Sequence, residues 1–173
     1  AAGPPPDDGA TPTVSTLRDY TLRLGEFAFD PLVGEPQLPD GWNRSAAVGP
    51  ELHLVQFDGP IPDGALDALR EGGLEPVQYI HPGTYIVWGR HEARTSIRHR
   101  SIRWTGDFAP AYRVQPEWRD LPADPVGVKA LIYRGADPDA VVARIGALDA
   151  TLTTRRGVND KLEVAGFNIP GDR

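Results

Sequence analysis

The residues best suited to metal binding or acid–base chemistry are few and scattered along the chain. The four histidines are His53, His81, His91 and His99, and none of them belongs to the His-Glu-x-x-His pattern that binds zinc on a helix. The chain contains no cysteine, which excludes a disulfide or a thiolate zinc site within it. We therefore predict structural or surface roles for the histidines, no metal site and no cofactor.

Nucleophilic catalysis is also not indicated. A serine nucleophile needs a base and an acid that orients the base, and the chain lacks both the Gly-x-Ser-x-Gly and the Gly-Thr-Ser motif. Its glycines form neither a Gly-x-Gly-x-x-Gly nor a Walker phosphate loop. The acidic pair Asp137 and Asp139 precedes a helical pattern and is better suited to helix capping than to acid–base catalysis. We predict that the chain is not an enzyme.

Charge is concentrated in one segment. Residues 90–103 hold five arginines and a single acid, and the spacing of Ala93 and Ile97 predicts a helix with a basic exposed face. The following alternatives stay open: a solvated helix face, or a patch that steers an acidic partner. The net charge of −6 and a strand at 83–88 without the base-stacking aromatic pattern argue against nucleic-acid binding. No apolar run approaches the length of a membrane-spanning helix.

The elements that would position these residues follow a regular order. Alternating apolar residues and turn residues predict strands at 52–57, 76–81 and 84–88, with a helix from 62 to 72 between the first two. The arginine-rich helix and a fourth strand at 101–105 follow. This β-α-β-β-α-β order predicts an α+β fold of the ferredoxin-like type.

Part of this pattern occurs twice. Residues 57–63, FDGPIPD, match residues 133–139, YRGADPD, at an aromatic, a Gly, a Pro and an Asp, and Leu69 then matches Ile145 without a gap. The same alignment places Thr84 to Gly89 over Asp160 to Gly166. The second copy is predicted to have a strand at 128–133, a helix at 138–148 and a hairpin at 151–167.

The repeat divides the chain into four parts. We predict an irregular lead-in with one short, bulged strand at 1–50, a ferredoxin-like module at 51–112, a linker at 113–125 and a second, truncated ferredoxin-like module at 126–173. The second module is expected to be completed by a continuation of the chain or by another polypeptide, and Arg173 is a candidate processing site. The start Ala-Ala-Gly-Pro-Pro-Pro favours a mature end after export, hence a secreted protein, extracellular or periplasmic.

Three motifs in residues 51–112 resemble the N-terminal region of secreted bacterial subtilisin-like serine protease precursors. They are the strand LVQFDGPI at 54–61, the hairpin Tyr-Ile-x-x-x-x-Tyr-Ile-Val at 79–87 and the exit Arg-Trp-x-Gly-x-x-x-Pro-Ala-Tyr at 103–112. The resemblance implies a noncatalytic propeptide that helps the downstream catalytic domain to fold and inhibits it until processing. The Asp-x-Gly, His-Gly-Thr and Gly-Thr-Ser elements of the peptidase domain itself are missing.

The resemblance also implies a protein partner, the cognate subtilisin-like catalytic domain, which a sheet face of the propeptide would contact. Strand aromatics are then either core or partner surface, and residues 108–118 form either a groove-binding segment or a plain linker. The candidate partner-binding residues are Phe57, Tyr79, Tyr85, Trp88, Phe108 and Tyr112. Two alternatives are a secreted interaction module that stays with the mature peptidase and a stand-alone ferredoxin-like protein that binds a small ligand.

Overall fold

Alternating apolar residues form three antiparallel sheets in an α+β chain. A computed structural model describes residues 18–43, 49–118 and 124–171. The strands are β1 Leu22–Leu24, β2 Phe27–Phe29, β3 Glu51–Phe57, β4 Leu74–Ile80, β5 Thr84–Gly89, β6 Ile102–Asp107, β7 Val126–Tyr133, β8 Thr151–Gly157 and β9 Leu162–Ile169. The α-helices are α1 Ala65–Glu71, α2 His91–Ser96 and α3 Pro138–Gly146. None of the helices in the described ranges is long and apolar enough to cross a membrane.

The first large sheet has four strands in the order β4-β5-β3-β6, and every neighbouring pair is antiparallel. The predicted strand and helix order from 51 to 107 is confirmed, although β6 runs two residues further than predicted. The β4–β5 turn contains a glycine with a positive φ of 51°, Gly83, a conformation that favours this residue type. Each of the two faces of this sheet is covered by a different part of the chain.

The helices cover one face of this sheet. Val55 and Phe57 of β3 and Val87 of β5 are fully buried there, together with Leu69 of α1 and Leu74 of β4. Ile97, just after α2, packs so closely on the glycine that ends α1 that a side chain at that glycine would collide with it. Burying such side chains contributes about 1.5–3 kcal/mol each, so this cluster is one of the two cores of the first sheet.

The lead-in covers much of the opposite face. β1 and β2 form a two-stranded hairpin rather than the one bulged strand that was predicted, because Gly25 adopts a positive φ of 59° and turns the chain. Leu22 and Phe29 of this hairpin pack with Leu54 of β3 and with Tyr112. The described part of the lead-in, residues 18–43, therefore belongs to the first folded unit.

The arginine-rich segment differs from its prediction. The helix ends at Ser96, because Ile97 adopts an extended conformation and inserts toward α1. Arg103 is only 13% exposed, forms an ion pair with Asp30 at 2.8 Å and lies over the Tyr20 ring at 4.2 Å. A uniform basic helix face is therefore not present, although Arg90, Arg98 and Arg100 are exposed.

The second large sheet has three strands in the order β7-β9-β8, with α3 packed on one face. Asp137 caps α3 through a hydrogen bond from the Ala140 backbone N–H at 3.2 Å, as its position in the sequence indicated. Ile132, Ala165 and Phe167 form the buried centre beneath the helix. The predicted strand, helix and hairpin of the second copy are confirmed.

The two sheets share one strand order, because β7, β8 and β9 are arranged as β3, β4 and β5 are. The sequence match of Phe57 to Tyr133 is wrong by one residue: the side chain that takes the place of Phe57 under the helix is Ile132. The match of Gly89 to Gly166 is wrong as well. Ala130 pairs with Ala165 in the second sheet as Val55 pairs with Tyr85 in the first sheet. In this register Ile169 pairs with the first residue of β7, just as Gly89 pairs with the first residue of β3.

Candidate protein-binding site

A group of polar side chains surrounds the buried His53 in the first module. This histidine is fully buried, and its two ring nitrogens lie 3.2 Å from Asp107 Oδ1 and 3.2 Å from the carbonyl oxygen of Gly89. Arg94 Nε lies 3.1 Å from the same Asp107 oxygen, and the His91 ring is 6.4 Å from that of His53. Both nitrogens of His53 thus lie within hydrogen-bonding distance of oxygen atoms, one on a carboxylate and one on the backbone.

This group also contains three side chains that are close enough together to ligate one metal ion. Atoms of Glu51, His53 and Asp107 all lie within 4.8 Å of one another, and the hydrogen bond from His53 to a backbone carbonyl is typical of metal-ligating histidines. The guanidinium of Arg94, however, already lies beside the Asp107 oxygen that a metal ion would bind, and its positive charge opposes the binding of a cation there. We therefore assign the group a structural role, joining β3, β6 and α2.

This buried group predicts acid-dependent stability. The hydrogen bond from His53 lowers the pKa of Asp107 below its ordinary value of 3.8, and burial opposes that shift only in part. Because the folded pKa is the lower one, the stabilisation is complete above the unfolded pKa and is lost as the pH falls through the folded value. We expect Asp107→Asn to cost about 1 kcal/mol at pH 7, a value reduced for the exposure of this carboxylate, and less below pH 4.

Urea unfolding between pH 2 and pH 7 measures this difference. The matched control is Asp67→Asn, which removes an exposed i,i+3 ion pair with Arg70 and should change the unfolding free energy by well under 1 kcal/mol. An Asp107→Asn curve that runs parallel to that of the native chain at every pH would contradict the prediction.

The candidate partner-binding residues do not lie together. Phe57 is fully buried beneath the helices, and Tyr112 is 8% exposed between the rings of Phe27 and Phe29. Burial raises the pKa of Tyr112 to about 12. This corrects the predicted binding role of both residues: alternation in β3 places the Phe57 ring in the core, packing against the lead-in buries the Tyr112 ring, and neither presents much surface to a partner.

Tyr79 and Tyr85 form a separate aromatic pair on the edge strand β4 and its neighbour β5. Their rings are 5.5 Å apart in an edge-on contact, and Tyr79 is 46% exposed. The Tyr79 hydroxyl accepts a hydrogen bond from the Gly83 backbone N–H at 3.1 Å, which fixes the ring against the β4–β5 turn. Tyr79 is therefore the most exposed of the predicted strand aromatics, and a binding role for it stays a prediction.

Trp88 lies at the joint between the two large sheets. Its ring contacts that of Tyr133 at 5.5 Å. Nearby, Lys161 Nζ donates hydrogen bonds to the Glu75 carboxylate and to the carbonyl oxygen of Pro76. Trp88 thus forms a contact within the chain. The sequence did not indicate this contact, because the repeat match aligned Tyr133 with Phe57, whose ring lies under the helices.

A cleft of about 540 Å³ opens beside this joint, between the two sheets. Leu52, Val77 and Ile86 form its wall on the first sheet, where they also pack in or against the cluster that contains the lead-in residues. Leu131 and Leu162 form the facing wall on the second sheet, and Leu131 is 56% exposed. The cleft is thus an apolar groove between two rigid sheets, a common location for binding sites.

The rim of the cleft is polar and carries two cations. Lys129 of β7 and Arg113 both line the cleft, together with Phe108 and Tyr112. Arg113 Nε donates to the Phe108 carbonyl oxygen at 2.6 Å, and its guanidinium lies 5.3 Å from the centre of the Phe108 ring. Gln78 and Gln115 supply uncharged polar groups. The groove therefore favours a ligand with apolar side chains and an acidic group.

Two further predictions concern the segment after β6 and the C-terminal residue. Phe108 lines the cleft, as a groove-facing role for residues 108–118 would require, but residues 110–112 and 116–118 are short 3-10 helices rather than an extended segment. Arg173 lies outside the described residues. The cleft itself was not predicted, because its walls come from strands that are far apart in sequence.

The comparison with protein families gives one match. Residues 21–109 match the family described as Domain of unknown function (DUF8729). No curated protein and no solved structure matches the chain. The matched range contains the β1–β2 hairpin and all of β3 to β6, which agrees with the packing of the lead-in on the first sheet. Because the match covers just over half of the chain, the protein belongs to the DUF8729 family.

Proposed function

We propose that this chain is the noncatalytic propeptide region of a secreted subtilisin-like serine protease precursor, built from two ferredoxin-like modules. Support for the fold comes from the β-α-β-β-α-β order and the strand order β4-β5-β3-β6 in the first module, and from the matching three-strand order in the second. Support for the precursor comes from the three motifs at 54–61, 79–87 and 103–112.

The observation that carries the proposal is the apolar cleft between the sheets. The resemblance implies that a propeptide contacts its catalytic domain through a sheet face, and Leu52, Val77 and Ile86 on the face opposite the helices line the cleft. Leu131 of the second module adds exposed apolar surface at the same place. The partner would thus be a protein surface, with no role for nucleic acid or membrane.

The mechanism requires no catalytic group from this chain. A propeptide that binds the folded catalytic domain and not the unfolded one stabilises the folded form by mass action. The same contact inhibits the enzyme while the complex persists. Sheets that are already packed on helices favour such binding, because little ordering of the backbone is needed on association.

A refolding and inhibition assay tests the proposal. The catalytic domain of the same precursor is unfolded in guanidinium, diluted with or without one equivalent of the chain, and assayed with a peptide substrate. When the chain is present during refolding and is then removed by digestion, we expect a higher yield of active enzyme. When the intact chain is added to enzyme that is already folded, we expect inhibition. Equal yields and unchanged activity would refute the proposal. An unrelated protein of similar size and charge controls for crowding and substrate competition.

A further inference from the structure

A second groove lies at the end of the first sheet, away from the cleft. It has a volume of about 640 Å³ and is bordered by the end of β3, at Phe57, and by the turn between β4 and β5. None of the residues that line it also lines the cleft. Its volume lies within the range of ligand sites, about 300–1,000 Å³. The first module thus has a candidate site that the proposed function does not use.

Three tyrosine rings line this groove, Tyr20, Tyr79 and Tyr85, and we call it the tyrosine groove. The Tyr79 hydroxyl accepts a hydrogen bond from the Gly83 backbone N–H at 3.1 Å, and the Tyr20 hydroxyl donates one to the Asp58 carboxylate. The rings of Tyr79 and Tyr85 support each other in an edge-on contact at 5.5 Å. Because two of the three hydroxyls are used within the chain, the tyrosines offer a ligand mainly ring surface.

The other walls of the tyrosine groove favour a segment that binds without forming a strand. Pro60 and Pro82 line the groove and have no backbone N–H to donate to an added strand. Arg18 and Asp19, which have opposite charges, and His81 also line it, so the groove does not select a strongly charged ligand. Aromatic grooves bind polyproline II segments, which have no internal hydrogen bonds and enter as a preformed helix.

The chain itself contains one segment of this chemistry. Pro4, Pro5 and Pro6 are the only consecutive prolines in the sequence, and they lie outside the described residues. The described chain begins at the tyrosine groove, because Arg18 lines it and its guanidinium lies so close to Gly59 that a side chain on that glycine would collide with it. The segment that carries the prolines is therefore joined to the chain at the groove.

The connection between the prolines and the groove is long enough for docking. Residues 7–17 can span about 35 Å when extended, whereas three residues of polyproline II are about 9 Å long. A tether of this kind holds the prolines near the groove at a local concentration on the order of millimolar. A contact that would be weak between separate molecules is therefore favoured within one chain.

We propose that the segment Pro4-Pro5-Pro6 of this chain binds in the tyrosine groove and covers the Tyr79–Tyr85 pair. The contact is autoinhibitory, since a proline-rich segment of another protein must displace the chain's own prolines in order to enter. The inference goes beyond the proposed function and is independent of it, because no residue that lines the cleft takes part.

Nitration of Tyr79 by tetranitromethane, followed by peptide mapping of the full chain, tests the proposal. Tyr79 is 46% exposed when only the described residues are considered, so bound prolines should shield its ring. We expect Tyr79 of the triple variant Pro4→Ser, Pro5→Ser, Pro6→Ser to react at least about threefold faster than Tyr79 of the native chain. A synthetic peptide with the sequence of residues 1–10, added in excess, should return the variant to the slower rate.

Two controls separate docking from a change in folding. The variant Pro12→Ser alters a proline outside the triplet and should react at Tyr79 as the native chain does. Tyr112, which is 8% exposed, should stay protected in every variant, which excludes unfolding as the cause of faster Tyr79 nitration.

Three outcomes of the nitration experiment would overturn the proposal. They are equal Tyr79 rates in the native chain and the triple variant, equal acceleration in Pro12→Ser, and shielding by the added peptide that is the same in the native chain and the variant. The last result would mean that the groove binds prolines of other molecules only. Shielding of the native chain that increases with protein concentration would mean that a second copy supplies the prolines, which would refute the proposal as well.

Discussion

Replacing Phe57 by alanine is expected to lower the free energy of unfolding by about 3–5 kcal/mol. The Phe57 ring is fully buried and packs in one cluster with Val55, Leu69 and Val87, so its removal leaves a cavity between β3 and the helices. Because a domain of this size is stabilised by only about 5–15 kcal/mol, this substitution should remove a large part of the total. Urea unfolding followed by tryptophan fluorescence measures the loss.

The matched control for this substitution is Tyr79→Ala. Tyr79 is a strand aromatic on the same sheet but is 46% exposed, so its removal should cost about 1–2 kcal/mol through partial burial and the ring contact with Tyr85. If the two variants lost equal stability, the assignment of Phe57 to the core and of Tyr79 to the surface would be wrong.

Replacing Leu131 by aspartate is expected to weaken inhibition of the cognate catalytic domain by about tenfold to a hundredfold. Leu131 lies on the wall of the cleft, and a carboxylate there would have to be desolvated when an apolar partner surface enters. The side chain is 56% exposed in the free chain, so the unfolding free energy should change little. The inhibition constant, measured at equal fractions of folded protein, gives the effect.

Leu32→Asp provides a control of the same chemistry at another place. Leu32 is 61% exposed in the turn after β2 and is not part of the cleft lining. This variant should inhibit as the native chain does. Equal losses for Leu131→Asp and Leu32→Asp would mean that added negative charge, and not the cleft, controls binding.

The order of elements could be predicted from the sequence because it depends on local patterns. Alternation in 52–57 and 84–88, the helix signals between 62 and 72, and the second copy at 128–167 all correspond to elements of the structure. Capping by Asp137 was equally accessible, since a cap is read from a few adjacent residues. All of these patterns involve residues that are close together in the sequence.

The faces of the strands and the binding site could not be predicted in the same way. A shift of one residue turns every side chain of a strand to the other face, and the repeat match placed Tyr133 where Ile132 lies. Tyr133 consequently meets Trp88 across the joint. The environment of Arg103 depends on Asp30, 73 residues away. Such contacts depend on tertiary packing, which local patterns in the sequence do not reveal.

The most direct test of the central claim is hydrogen exchange of the chain in complex with its catalytic domain, with the catalytic serine replaced by alanine to prevent cleavage. We predict slower exchange in the strand segments that wall the cleft, at 52–54, 77–78 and 129–131, relative to the free chain, while the buried face around Phe57 changes little. If the complex does not form, or if exchange slows only at residues away from the cleft, the proposed propeptide function with binding through this cleft would be contradicted.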